Sequence, residues 1–532
     1  MSRTNNHDSR SKQGSGKHPN GKKGIDQSPT NNKLEGKDNK SKAKNRAGLD
    51  SKGYPNDVNY YFFSPELAQQ ASQLSFQNVL GLGQLDGYEV PSIMAIHFNP
   101  SFGNTYPTVG VGPRSETTPT ESALPEVPTG RSAINAMGDK LYTLMSQFTG
   151  RTANYGPQDI TEMIGAIASL AEATEHVRRA FGVILTYNER NRAIPNLLIQ
   201  AMGIDYADMA ANFSNYRMRF NTAIARINQI PLLDNVMYIT KAREMYQKVF
   251  TDSPSPMAQI FLYVPHTVWI LDESSYTEGT ILKTTDFVKT RSAEKLSTYL
   301  TIIEQMITAL VESSTLNMVY ADLLNMANKL NVPLWHFDYL AENYVVMPEY
   351  SPGAILQWHN IDVVGEPLVT ENFTKSGFTF TNSNDVYPDV NNNGILYNPR
   401  FAYDNDRAVT VVDSPIGVPD VTDRIEALRM SSCNGNWTLV TSGSPVSVFK
   451  ALSDHYVTRL EVFTNLHSTS TLFSSENVTI TNAALLSQFE NGPLMQHSNR
   501  VFGSLSYYTE VPYEYLKRVN ELMMMGLLDF RV

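Results

Sequence analysis

From Pro157 to about Tyr187 the chain carries one apolar stripe: Ile160, Ile164, Ile167, Ala171, Thr174, Val177, Phe181 and Ile184 recur every three or four residues. That spacing puts all eight on one face of an α-helix. Pro157 suits the first helical position, where an N–H would have no intrahelical partner. At 1.5 Å per residue such a helix is about 45 Å long, enough to cross a whole domain, so the fold has to be built around it. Glu172 and Glu175 fall off the stripe and are expected on a solvated or interface face, not in acid–base catalysis.

The segments around this helix read as more of the same. Ser132 can cap a helix to about Phe148, Pro195 to Met202 makes a short one stopped by Gly203, and Asp205 can cap another running to about Ile230. Asp234 to Phe250, Ser292 to Glu312 and Ser314 to Leu330 continue the helical periodicity. Two apolar stretches break it. Pro91 to Phe98 predicts a buried strand followed by a Pro-rich loop through Pro128, and Gln259 to Asp272 predicts two strands separated by Pro265. Past Asn331 short alternating runs take over, at Phe378 to Thr381, Ala408 to Val412, Thr438 to Thr441, Val457 to Phe463 and Val478 to Thr481. Asn-, Gly- and Pro-rich turns separate them, the pattern of a β-rich domain. A last helix, about Pro512 to Leu528, carries Leu516, Val519, Met523, Leu527 and Leu528 on one face. It is expected to return to the helical part or to cover a neighbouring copy. The fold class predicted is α+β: a mainly helical domain over 53–330, a β-rich domain over 331–509 and a C-terminal helix over 510–532.

Residues 1–52 have a different character. Their basic residues are Arg3, Arg10, Lys12, Lys17, Lys22, Lys23, Lys33, Lys37, Lys40, Lys42, Lys44, Arg46 and Lys52, against five acids, a net charge of +8. The remaining 30 basic and 48 acidic residues leave the body at −18. Large apolar side chains in the segment are limited to Met1, Ile25, Leu34 and Leu49. They bury too little to offset an ordering cost of about 1–2 kcal/mol per residue, so a disordered cationic arm is expected. Without aromatic residues the arm cannot stack on bases. It can neutralise phosphates without sequence preference and in a salt-sensitive way. It has no apolar face with which to lie on a membrane.

Chemistry is scarce elsewhere. Gly81-Leu82-Gly83 and Gly110-Val111-Gly112 lack the frame of a phosphate loop, and neither a Gly-x-Ser-x-Gly elbow nor a Gly-Asp-Asp turn occurs. His97, His176, His266, His336, His359, His455, His467 and His497 are scattered, with no pair four residues apart, and Cys433 is the one cysteine. Structural roles are expected for all of them, with no catalytic residue, metal site or cofactor. Intramolecular disulfides are excluded, which fits a reducing compartment. No run of about 18 apolar residues is present to span a membrane.

Two long stretches carry a resemblance. Pro91–Gly103 (PSIMAIHFNPSFG), and the span from Asn154-Tyr155 through the long helix to Ile194–Asp205 (IPNLLIQAMGID), are similar to the corresponding parts of picobirnavirus capsid proteins, relatives of partitivirus-like double-stranded RNA virus capsids. The similarity is best from about residue 90 to 270 and elsewhere follows the order of features. It implies a virion coat protein, assembled in the host cytoplasm, whose homodimers close into a T=1-type icosahedral shell around double-stranded RNA. The helical domain would form the shell, the β-rich domain would project at the dimer contact, and the arm would face the genome. The viral polymerase and, during entry, the host membrane are further partners that the resemblance suggests. Some family members cut off an N-terminal segment themselves, and no residues here place such a cut. A non-icosahedral RNA-coating nucleocapsid or adaptor, and a cytosolic enzyme with an unrecognised site, are the competing readings.

Overall fold

The computed structural model describes residues 81–85, 88–103, 132–186, 193–251, 260–273, 280–289 and 293–351, with shorter stretches between 354 and 529. The basic arm, most of the loop leading to Pro128 and the predicted strand at Val478 lie outside the described residues. Residues Leu74–Val532 form one compact unit.

Helices α1 (Ala133–Thr149) and α2 (Pro157–Thr186) are followed by α3 (Ala193–Ala201), α4 (Tyr206–Ala211), α5 (Phe213–Ile227), α6 (Met237–Gln247), α7 (Leu296–Glu312) and α8 (Ser314–Leu330), with α9 (Tyr513–Leu528) near the C-terminus. The long helix α2 is the axis of the core, and α1, α6, α7 and the strand Thr267–Asp272 pack around it. Every residue from Pro157 to Val183 is buried. Small residues on all sides, Gly165, Ala166, Ala168, Ala173, Ala180 and Gly182, let neighbours approach from every direction. At Gly165 a Cβ would stand 2.4 Å from Phe102 Cζ. The Phe102 ring packs in turn on Trp269, centroids 4.6 Å apart, and on Tyr238 at 5.8 Å. Glu172 and Glu175 are therefore not on a solvated face: both are fully buried, because α2 has no outward side along this length.

Asp205 caps α4 as predicted, accepting from the N–H groups of Ala207 and Asp208. The helix it starts stops at Asn212, whose side-chain amide donates to Asp208 O and Oδ1 at 3.1 and 3.2 Å. That local bond competes with the helical ladder, and α5 begins afresh at Phe213. Ser132 precedes α1 without a side-chain cap. The predicted helix to Phe250 ends at Gln247, because Val249–Thr251 joins the sheet.

Strands β1 (Gly81–Leu85), β2 (Tyr88–Pro100), β3 (Val249–Thr251), β4 (Ile260–Pro265), β7 (Pro348–Tyr350), β16 (His455–Leu466) and β17 (Thr469–Phe473) form a seven-stranded mixed sheet. Its order is β17-β16-β2-β4-β3-β7, with β1 alongside the start of β2. Residues Ile93 to Pro100 are buried without alternation, as a central strand covered on both faces must be. Pro265 lacks an N–H and ends β4; β5 (Thr267–Asp272) then pairs with β6 (Ile281–Asp286) in a hairpin.

The β-rich stretch contains short pairs: β8 (Phe373–Lys375) with β9 (Phe378–Phe380), β10 (Tyr387–Asp389) with β11 (Gly394–Leu396), β13 (Thr410–Val412) with β20 (Tyr508–Glu510), and β18 (Met495–His497) with β19 (Arg500–Phe502). A three-stranded sheet orders β12 (Phe401–Ala402), β15 (Ser444–Ala451) and β14 (Ser432–Thr441). Two parts of this stretch return to the helical core. Val386, Ile395 and Tyr397 are buried in it, and Trp269 Nε1 donates to Asn384 O at 3.0 Å. The strand predicted at Val457 to Phe463 is β16, which lies directly beside β2. The last helix, α9, buries Met523, Met524, Leu527 and Leu528 and packs on α1 and α6.

Candidate functional site

Where β16 meets β2 and α2, the core is polar. β16 runs antiparallel to β2, with Val457 opposite Phe98 but Arg459 opposite His97, so Thr458 is an extra residue in the ladder. Such a bulge re-aims the side chains that follow it. The Thr458 hydroxyl lies 3.3 Å from His97 O and 3.1 Å from His266 Nδ1. Arg459 donates to His266 Nε2 at 2.8 Å and to Val288 O at 3.0 Å. A guanidinium only donates, so Nε2 of His266 must accept, and Nδ1 carries the ring proton towards Thr458. Arg459 Nε also lies 3.3 Å from Glu461 Oε1, while Glu461 Oε2 is 2.9 Å from His97 Nε2. Burial, with Arg459 close by, pulls the His97 pKa down to about 4. Burial works the other way on Glu461, but His97 and Arg459 outweigh it and hold that carboxyl low.

The second cluster begins β16. The His455 ring is fully buried, with Nδ1 3.0 Å from Asp454 Oδ2 and Nε2 2.9 Å from Glu172 Oε1 of α2. Burial disfavours its charge, but Asp454 and Glu172 more than offset this and lift its pKa to about 9. His455 is thus an imidazolium at neutral pH, bridging two carboxylates.

The third cluster lies along α2. His176 Nε2 donates to Met202 O at 3.0 Å, and its Nδ1 accepts from Arg179 Nη2 at 3.0 Å. Arg179 also donates to Tyr263 O at 2.7 Å and to Lys248 O at 3.0 Å, tying α2 to β4 and to the entry of β3. Burial, with Arg179 adjacent, drives His176 well below the usual histidine range. Glu175 meets Arg243 of α6 at 3.1 Å and Arg178 at 3.7 Å. Burial nevertheless raises its pKa above the ordinary value.

A buried charge is costly unless partners surround it, and these partners come from distant parts of the chain. The arrangement can bind or release protons, and it locks β16 to β2 and α2. Both nitrogens of His455 are committed to carboxylates, so this ring cannot take a proton from a nucleophile. Nothing local in the sequence marks these three clusters as a site. The detectable signal was the ring of Gly and Ala on every face of α2, which marks a helix enclosed on all sides and makes its charged residues buried ones. The thirteen predicted RNA-binding residues, Arg3 to Lys52, lie outside the described residues. Cys433 sits at the start of β14.

Comparison with known proteins converges on one family. A family model for the picobirnavirus capsid protein matches residues 60–416. The capsid protein precursor of human picobirnavirus (strain Human/Thailand/Hy005102) is 24% identical over 368 residues, covering 66% of this chain and 62% of that protein's own length. An X-ray crystallographic structure of the picobirnavirus capsid superimposes with a TM-score of 0.64 at 17% identity, covering 89% of this chain and 98% of the solved one; at that identity it establishes the fold. The match to the family model spans most of the chain, and the chain belongs to the picobirnavirus capsid protein family.

Proposed function

We propose that copies of the chain associate as homodimers and close into a T=1-type icosahedral shell around double-stranded RNA, with residues 1–52 directed inward onto the genome. The observation that carries the RNA assignment is the charge step, +8 over the arm against −18 over the body. An acidic shell attracts phosphate weakly, so the contact concentrates on the thirteen arm cations. Within the division proposed from sequence, 53–330 builds the shell together with 384–389, 393–397 and β16, which pack into the same core. The three-stranded sheet of β12, β14 and β15 then belongs to the projecting part of 331–509, and α9 covers the shell. The test is deletion of residues 1–52. Particles should still assemble, while extracted RNA per particle falls sharply, and binding by the intact arm should weaken steeply with salt. Equal RNA content in the truncated particles defeats the assignment. Assembly in the host cytoplasm, contact with the viral polymerase and membrane disturbance during entry accompany this reading. Co-sedimentation with polymerase and dye release from liposomes check the last two. N-terminal sequencing of aged particles reads whether a leading segment is cut.

A further inference from the structure

After α8 the chain runs as an irregular strap back along α5 and then into β7. It is fixed by side chains that copy a strand ladder. Asn228 at the end of α5 both donates to Phe337 O (3.0 Å) and accepts from Phe337 N (2.9 Å). Asn221 does the same with Leu340, at 3.2 and 2.8 Å. Arg217 reaches Glu342 at 2.6 Å, and the Thr186 hydroxyl bonds both O and N of Val346 at 2.7 and 3.1 Å. Phe337, Leu340 and Val346 are buried inward. On the outer side of the strap, Tyr339 is 55% exposed, Val345 50% and Met347 53%, alongside the exposed polar residues Asp338, Glu342 and Asn343. Met218 of α5, beside the Arg217 and Asn221 that grip the strap, is 69% exposed and lines a shallow groove of about 500 Å³. Among the described residues these are four of the five most exposed large apolar side chains. Single exposed apolar residues are ordinary, but four on one rigidly held surface mark a contact face.

Charge decides what covers it. The groups on its rim come as neutral pairs, Arg217 with Glu342 and Lys248 with Glu349 at 2.6 Å, and Asp338 adds a negative charge. A face for RNA or an acidic lipid surface would carry excess cations. An apolar centre with a rim of both signs is complementary to protein and, across a two-fold axis, to itself. We infer that the outward face of 339–347 together with Met218 is a contact between copies of this chain in the shell. The strap is already fixed by its bonds to α5 and α2, so little ordering entropy is lost on contact. This inference rests on the shell reading above, and its test separates the two.

Full-length protein and the variants Val345→Asp, Met347→Asp and Met218→Asp are purified as unassembled subunits. Their thermal melts are compared, and each is placed under the same assembly conditions, with Leu324→Asp on α8 as the control for an exposed apolar residue elsewhere. Expected is an unchanged melt for all, normal particles from wild type and control, and at least a tenfold loss of closed particles from the three variants. Failure of the wild type to form particles overturns the shell reading; normal assembly by the three variants overturns the contact face alone. Hydrogen exchange provides a readout that needs no variant. Amides of 338–347 should exchange at least tenfold more slowly in particles than in subunits. Equal protection in both states means the chain's own residues cover the face, and slowing of free subunits by added RNA means nucleic acid does; either result overturns the inference.

Discussion

Between pH 6.5 and 9 the stability of the subunit should fall as pH rises, and His455 sets that limb. The Asp454 and Glu172 carboxylates raise this fully buried ring from 6.5 to about 9, which corresponds to about 3 kcal/mol of tighter proton binding in the folded state. Below pH 6.5 the ring is protonated folded and unfolded alike, and the whole contribution is present. Between 6.5 and 9 the unfolded chain has lost its proton while the folded chain keeps it, so stability drops by about 1.4 kcal/mol per pH unit. Above about pH 9 nothing of it remains. His97 supplies the opposite limb. Its folded pKa is depressed to about 4, so its contribution is present above 6.5 and is lost as pH falls towards 4. His176 is depressed too and acts in the same direction. These histidines together give an arch with its top near pH 6.5, while Glu175 and Glu162, whose pKa values burial raises, oppose its acid limb because their contribution is lost as pH rises. The assay is urea unfolding of unassembled subunits at half-unit intervals from pH 4.5 to 9.5, followed by tryptophan fluorescence and far-UV circular dichroism. Glu172→Gln removes one of the two carboxylates and should move the alkaline limb to lower pH. His455→Gln should abolish that limb and cost about 3–5 kcal/mol at neutral pH, since two carboxylates lose their cation. A wild-type midpoint that stays level from pH 6.5 to 9, or a Glu172→Gln limb that does not move, would refute the reasoning.

Other consequences follow from the same contacts. Arg459→Met removes the donor to His266 and Val288 O and the cation beside Glu461; about 3–5 kcal/mol should be lost in urea unfolding, and adding Glu461→Gln should restore part of it. Gly182→Ala places a Cβ 2.4 Å from Val346 Cγ2 and 3.0 Å from Val346 N. It should cost about 1–3 kcal/mol, read as faster hydrogen exchange over 338–347 together with a lower melting temperature. Tyr155→Phe deletes the 2.8 Å bond to the buried Asp322 carboxylate and should lower stability by about 1–3 kcal/mol, measured by thermal melting at neutral pH.

The parts of the fold legible from sequence were those with local causes. The three-to-four-residue stripe marked α2, Pro265 marked the break between β4 and β5, and Asp205 marked the start of α4. What stayed hidden depends on partners far along the chain. Glu172 is turned from a surface acid into a buried one by His455, 283 positions later, and Glu175 by Arg243, 68 positions later. The alternation at Val457 to Phe463 correctly signals a strand, but nothing local tells that its neighbour is β2. Asn212 shows the same limit at short range: the apolar pattern runs through it, while its side chain bonds back to Asp208 and ends the helix. The polar seam became visible only once these separate lengths of chain lay side by side.

Closure of this chain into a shell underlies the RNA assignment and the contact face alike. Electron microscopy of the purified full-length protein in negative stain, across a range of salt and pH around 6.5, tests it most directly. Expected are closed particles of one diameter with icosahedral symmetry in class averages. Helical or irregular RNA-coated assemblies, or dimers and monomers under every condition, would contradict it.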